Sequence, residues 1–154
     1  MKIPFLKQLQ RLTGPAANEV VVVAAGPEGI NTDAALRHLL DELPDLLMAA
    51  VVDVSTGKPL ASYTVDRGLR PAMVAGFNAE AVRQIQAMIA AQQMTSESVE
   101  EMLFTLHSQL HLLCLAPSGQ RFVYLAVDSR DTNLGIARAV MRGSIQLLEP
   151  FEAV

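Results

Sequence analysis

RPAMVAGFNAEAVRQIQAMIAA, Arg70 to Ala91, decides how the rest of the chain is read. On a 3.6-residue wheel Val74, Phe77, Ala81, Val82, Ile85, Met88 and Ile89 fall on one stripe, with Glu80, Arg83 and Ala87 opposite. That pattern predicts an amphipathic helix. Pro71 suits its first position, and the polar residues Gln92, Gln93, Thr95 and Ser96 end it. At about 1.5 Å per residue it is roughly 30 Å long, enough to cross a small sheet. Burying the large side chains of the stripe contributes on the order of 10 kcal/mol before conformational entropy is subtracted, so a charge at Ile85 is expected to unfold the domain. The remaining face, with Ala75, Gly76, Ala79, Ala87 and Ala90, is smooth. Either a second backbone packs closely there, or the alanines serve helix propensity alone.

Working outward, Thr32 is read as the N-cap of a helix from Asp33 to Leu43, with Leu36, Leu39, Leu40 and Leu43 as its apolar stripe and Pro44 as its stop. Two strands follow, Leu47 to Val54 and Lys58 to Thr64, joined by the hairpin signal Ser55-Thr56-Gly57. The first is apolar on both faces and belongs inside a sheet; Pro59 makes the second an edge. After the long helix come Val99 to Leu106, Leu110 to Ala116 and Arg121 to Asp128, the last two apolar on both faces and therefore central. Val99 to Leu106 carries Met102, Phe104 and Leu106 on one face between polar residues and reads as an adhesive edge. A last helix from about Asn133 to Leu148 is capped by Thr132 or Asn133 and ended by Pro150. The class is α+β: a five-stranded, mainly antiparallel sheet with helices on both faces. An open edge at Met102 to Leu106 pairs readily with its own copy, so the pattern predicts a homodimer.

With 154 residues, 51% of them hydrophobic, the chain has core enough for one domain. A formal charge of −4 gives no basic face for nucleic acid. Cys114 is the single cysteine and lies in an apolar run, so neither a disulfide framework nor a thiolate metal cluster is expected, and a reducing cytoplasm suits the chain. The opening residues begin like a signal peptide, but Lys7, Gln8, Gln10 and Arg11 interrupt it and no run reaches transmembrane length. A soluble protein without stable membrane insertion is expected. Residues 3 to 12 hold Phe5, Leu6, Leu9 and Leu12 with Lys2, Lys7 and Arg11 around them, either a weak peripheral anchor or a tail that packs on the domain. Glu19 to Ala25 contains Val20-Val21-Val22-Val23, a strand-like run closed by Gly26-Pro27 that is either an added edge strand or a segment for another chain.

Little points to chemistry. There is no Gly-x-Ser-x-Gly elbow, Gly57-Lys58 lacks the other positions of a phosphate loop, and Gly26 and Gly29 lack the third glycine of a dinucleotide fingerprint. His107 and His111 have no neighbouring ligand to complete a metal set. Asp53 reads as a turn residue rather than a cation contact, and Asp128, Arg130 and Asp131 as helix-start electrostatics. No catalytic residue, cofactor or metal is expected.

The run Leu36 to Pro44 leading into Val51-Val52-Asp53, then Gly57, Leu60-Ala61-Ser62, the long helix, Val127-Asp128 and Asn133-Leu134-Gly135, resembles the roadblock family named for a dynein light chain, above all its bacterial members partnered with small Ras-like GTPases. The fold is related to profilin and longin. The resemblance spans about Thr32 to Glu149, leaving residues 1–31 as an extension, 32–149 as the domain and 150–154 as a tail. It implies a non-catalytic homodimer, formed by strand pairing and packing of the long helices, that regulates or scaffolds a GTPase. The expected dimer interface is Met102, Phe104 and Leu106 at the strand edge with Ala79, Arg83 and Ala87 on the helix. Two rivals are a small-ligand sensor, with a pocket between sheet and helix lined by Phe77, Tyr124 and methionines, and a structural adaptor without effect on nucleotide turnover.

Overall fold

The stretch Leu46–Asp53, LLMAAVVD, is apolar at every position but the last, and such a strand needs cover on both faces. It lies inside the sheet. The computed structural model describes residues 16–150. In chain order the elements are β1 (Val21–Val22), α1 (Gly26–Glu42), β2 (Leu46–Asp53), β3 (Pro59–Thr64), α2 (Pro71–Ala91), β4 (Glu101–Thr105), β5 (Gln109–Leu115), β6 (Arg121–Asp128) and α3 (Leu134–Leu148). One six-stranded sheet runs β1-β3-β2-β6-β5-β4, with every neighbouring pair antiparallel. The class is α+β, as expected, with one strand more than expected. The valine run supplies that strand, and β3 is thereby an inner strand instead of an edge. The amphipathic segment at residues 3–12 falls outside the described residues.

Helices cover both faces. On one, α1 and α3 pack Leu36, Leu39, Met141 and Leu148 onto Val51, Val123, Leu125 and Leu112. The two helices approach closely: the Ser144 hydroxyl donates to the Ala35 carbonyl at 2.8 Å. His38 is half-buried against Gly143, where an added Cβ would collide with its imidazole. The first helix begins at Gly26 and not at Asp33. Gly-Pro reads as a breaker, but here Gly26 takes φ +62° and Pro27 sits in the first turn, where a proline lacks no needed hydrogen bond. Thr32 is interior, its hydroxyl donating back to the Gly29 carbonyl at 3.0 Å instead of capping. The last helix is capped by Asn133, whose side-chain oxygen accepts from the Ile136 amide at 2.9 Å.

The other face belongs to α2, and here the sequence reading inverts. Ala75, Ala79 and Val82 are the buried apolar residues, packed on Met48, Ala50, Val52, Phe122 and Tyr124. Of the apolar stripe, Val82 is buried and Val74 packs partly against the same cluster, but the larger residues lie on the far and lateral sides: Phe77 is 73% exposed, Met88 48%, and Ile85 half-buried. The sheet face already carries Phe122, Tyr124, Met48 and Leu113, and this bulk leaves room for small residues only. Packing density, not hydrophobicity alone, fixed the inner side.

Candidate interaction surface

β4 forms ladder bonds with β5 alone, pairing Met102 with Leu113, Leu103 with Leu112 and Phe104 with His111. Its outer backbone edge has no partner among the described residues. Residues opposite one another across a ladder share a face, so Met102 and Phe104 lie on the α2 side and Glu101 and Leu103 on the α1/α3 side. Phe104 is 39% exposed, and Leu106, just past the strand, 55%. The edge is held from below by Arg138 of α3, whose Nε lies 2.9 and 3.0 Å from the two Glu101 carboxylate oxygens. Cys114 lies beside that pair; burial first, then the Glu101 charge, push its thiol up to about 12, which leaves it unreactive.

Beneath Phe104 is a polar relay that the sequence reading missed. His111 is buried, stacked on Phe104 with ring centroids 4.5 Å apart at 17°. Its Nδ1 lies 2.6 Å from the Tyr124 hydroxyl and its Nε2 2.9 Å from Gln109 Oε1. One arrangement satisfies all three groups: Tyr124 donates to Nδ1 and Nε2–H donates to Gln109. It requires a neutral ring, and burial lowers the His111 pKa accordingly. Burial likewise pushes the Tyr124 hydroxyl well above its ordinary range. The signal available in sequence was the alternation along β5 and β6, which sets His111 and Tyr124 on one face of neighbouring strands.

The two flanks of α2 look in different directions. Ile85 and Ile89 line a groove with Met102 and Leu103 of β4. On the opposite flank Arg83 donates to the Val54 carbonyl at 2.6 Å and pairs with Glu80, and the hairpin glycine Gly57, φ +69°, lies so close that a Cβ there would sit 3.4 Å from Ala79 Cβ. The six residues expected in one interface are therefore not brought together. Met102, Phe104 and Leu106 lie at the free edge. Ala79 is fully buried in the protomer, Arg83 is tied to the hairpin, and Ala87 is exposed one turn beyond it on that flank. The α2 residues that do lie beside the β4 edge are Ile85 and Ile89, while Phe77 and Met88 are exposed.

Asp53 and Asp128 serve turns. Asp53 accepts from the Ser55 hydroxyl at 2.7 Å and the Thr56 amide at 2.8 Å, a turn role that lowers its pKa, the Ser55 bond most. Asp128 is held down at about 2 by its bonds from Arg130, which clamps it in the loop before α3. His107 is exposed in the β4–β5 turn while His111 is buried. Phe77 and Tyr124, the expected walls of a ligand pocket, stand one in solvent and one in the core. Among the described residues no helix is long and apolar enough to cross a membrane.

No protein-family model and no curated protein sequence matches the chain, so its relationships are read from structure. MglB of Myxococcus xanthus superposes with a TM-score of 0.65 at 16% identity, covering 83% of this chain and 91% of that one. The gliding protein MglB from Thermus thermophilus superposes at 0.62 and 18% identity, covering 84% and 94%. A Roadblock/LC7 domain from Streptomyces avermitilis gives 0.61 at 14% identity, covering 77% and 95%. The element order, the sheet and these superpositions together establish that this chain has the roadblock/LC7 fold.

Proposed function

We propose that the chain is a non-catalytic, cytoplasmic regulator that acts as a homodimer and binds a small Ras-like GTPase, altering its nucleotide cycle or its location. The observation that carries the reading is the outward stripe of α2 beside the open edge of β4. Large apolar residues on a helix that already buries its small face, next to an unpaired strand, are the two halves of a protein-binding surface. Antiparallel pairing of β4 with its own copy continues the sheet and turns the Ile85 and Ile89 flanks toward each other. Phe77, Met88 and Gln84 then remain on the outer surface of the joined helices for the partner. The roadblock/LC7 fold and its likeness to MglB support a GTPase as that partner.

The test is retention on the immobilised chain from native lysate, in parallel with GDP and a non-hydrolysable GTP analogue. A Ras-like GTPase held in one nucleotide state supports the regulator. Equal retention in both states leaves a structural adaptor, and no GTPase in either state overturns the reading.

A further inference from the structure

Without β1 the sheet would run β3-β2-β6-β5-β4 and have two long open edges. The β3 edge is poorly defended. Pro59 and the register shift beside it blunt only its first residue; the remainder, Leu60 to Thr64, contains no charged residue, whereas exposed edges are normally protected along their length by lysine, inward charges, proline or bulges. Two self-complementary edges on one protomer generate two different twofold contacts, and alternating them produces an open chain of subunits instead of a closed pair.

The segment before α1 lies along this edge. The Asn18 amide donates to the Thr64 carbonyl at 2.8 Å, the Val23 amide to the Leu60 carbonyl at 2.8 Å and the Ala24 amide to the same carbonyl at 3.1 Å. Between them Val21 and Val22 stand in register with Ser62 and Ala61. Backbone from residue 18 to 24 thus covers β3 from Thr64 back to Leu60. The segment is itself a poor template: its paired strand is two residues long, bounded by Asn18 at φ 60° and by Gly26-Pro27. It also contributes little to the core. Val20 packs partly against the α1/α3 side, Val21, Val22 and Val23 are exposed, and neither buried cluster includes a residue from this segment.

We infer that residues 16–24 are an edge guard, occupying the side of β3 that the β3 of a second copy would otherwise take and so confining self-association to β4. The dimer size given below rests on the proposed β4 pairing; the guard itself does not. Because the guard is held mainly by backbone bonds, with Val20 and the small Ala16, Ala17 and Ala24 half-buried, it is expected to be removable without dismantling the domain.

The experiment measures sedimentation over a range of concentrations for the full chain and for a chain starting at Ala25, each with and without Phe104→Lys, with circular dichroism to verify folding. The full chain is expected to stop at a dimer and the shortened chain to grow beyond it with concentration. With Phe104→Lys, the full chain is expected to be monomeric and the shortened chain to pair through β3. A synthetic peptide of residues 17–25 added in excess is expected to return the shortened chain to the size of the full one. A folded shortened chain of unchanged size at every concentration overturns the guard, as does growth that the peptide fails to reverse. If the shortened chain does not fold, Val23→Pro in the full chain takes its place, since it deletes the 2.8 Å bond to Leu60 at an exposed position; concentration-dependent growth supports the guard and unchanged size overturns it. A Phe104→Lys full chain that remains dimeric sinks the β4 pairing instead, and the guard is then judged by the difference between the two lengths.

Discussion

The Nδ1 atom of His111 lies 2.6 Å from the Tyr124 hydroxyl, a hydrogen bond across β5 and β6 beneath the aromatic ring of the free edge strand. Burial lowers the pKa of His111 in the folded chain, so the unfolded chain takes up the proton first as the pH falls. Above about 6.5, the ordinary value, the folded and unfolded rings are both neutral and the full stability is present. From there downward stability declines until the folded-state value is passed, after which His111 costs nothing more. His111→Gln is expected to flatten the slope between about pH 6.5 and its folded-state value, read as urea midpoints from about pH 8 to 5. An unchanged slope in the variant would assign the pH dependence to other groups.

Phe104→Lys removes the stack on His111 and places a charge on the β4 edge. Light scattering is expected to find a monomer or an insoluble chain, because an edge lysine opposes strand pairing. A soluble dimer of this variant contradicts the strand-edge account.

Ala79 and Phe77 are two residues apart on α2 and differ fully in exposure. Ala79→Leu is expected to destabilise by about 1–3 kcal/mol, since Gly57 and the sheet leave no space for it. Phe77→Ser is expected to change protomer stability by no more than about 0.5 kcal/mol. Chemical denaturation at low protein concentration compares them, and the reverse order would mean that α2 is seated on the other side.

Ile85→Lys separates folding from assembly. The apolar stripe, read as core, predicts an unfolded variant; the half-buried position on the β4 flank predicts a folded one with weakened self-association. Far-ultraviolet dichroism and sedimentation together decide, and loss of the folded spectrum would restore the sequence reading.

Asn133→Ala removes the bond accepted from the Ile136 amide and is expected to cost about 1 kcal/mol of stability. A melting temperature equal to that of the parent would show that the first turn of α3 finds another acceptor.

The central strands were legible because apolarity on both faces has one structural meaning: β2, β5 and β6 each lie between two partners. The hairpin at Ser55-Thr56-Gly57 was legible because the turn demands positive φ, which Gly57 supplies. The seating of α2 was not. Its circumference is apolar over more than half, so the wheel marks the larger residues without saying whether the sheet below has room for them. Phe122 and Tyr124, some forty residues later in the chain, use that room. The start of α1 was missed because Gly26-Pro27 signals either an end or a beginning, and the strand before it made the end more obvious. The edge half of the candidate surface could be read from Met102 to Leu106; the helical half could not, since it depends on which flank of α2 meets β4.

The seating of α2 also bears on how such a surface changes over generations. What anchors the helix is a handful of small side chains set by the sheet, while Met73, Phe77, Gln84 and Met88 form a separate outward alphabet. On the proposed function, substitutions accumulating in that alphabet redirect the protein to a different client with little effect on the melting temperature.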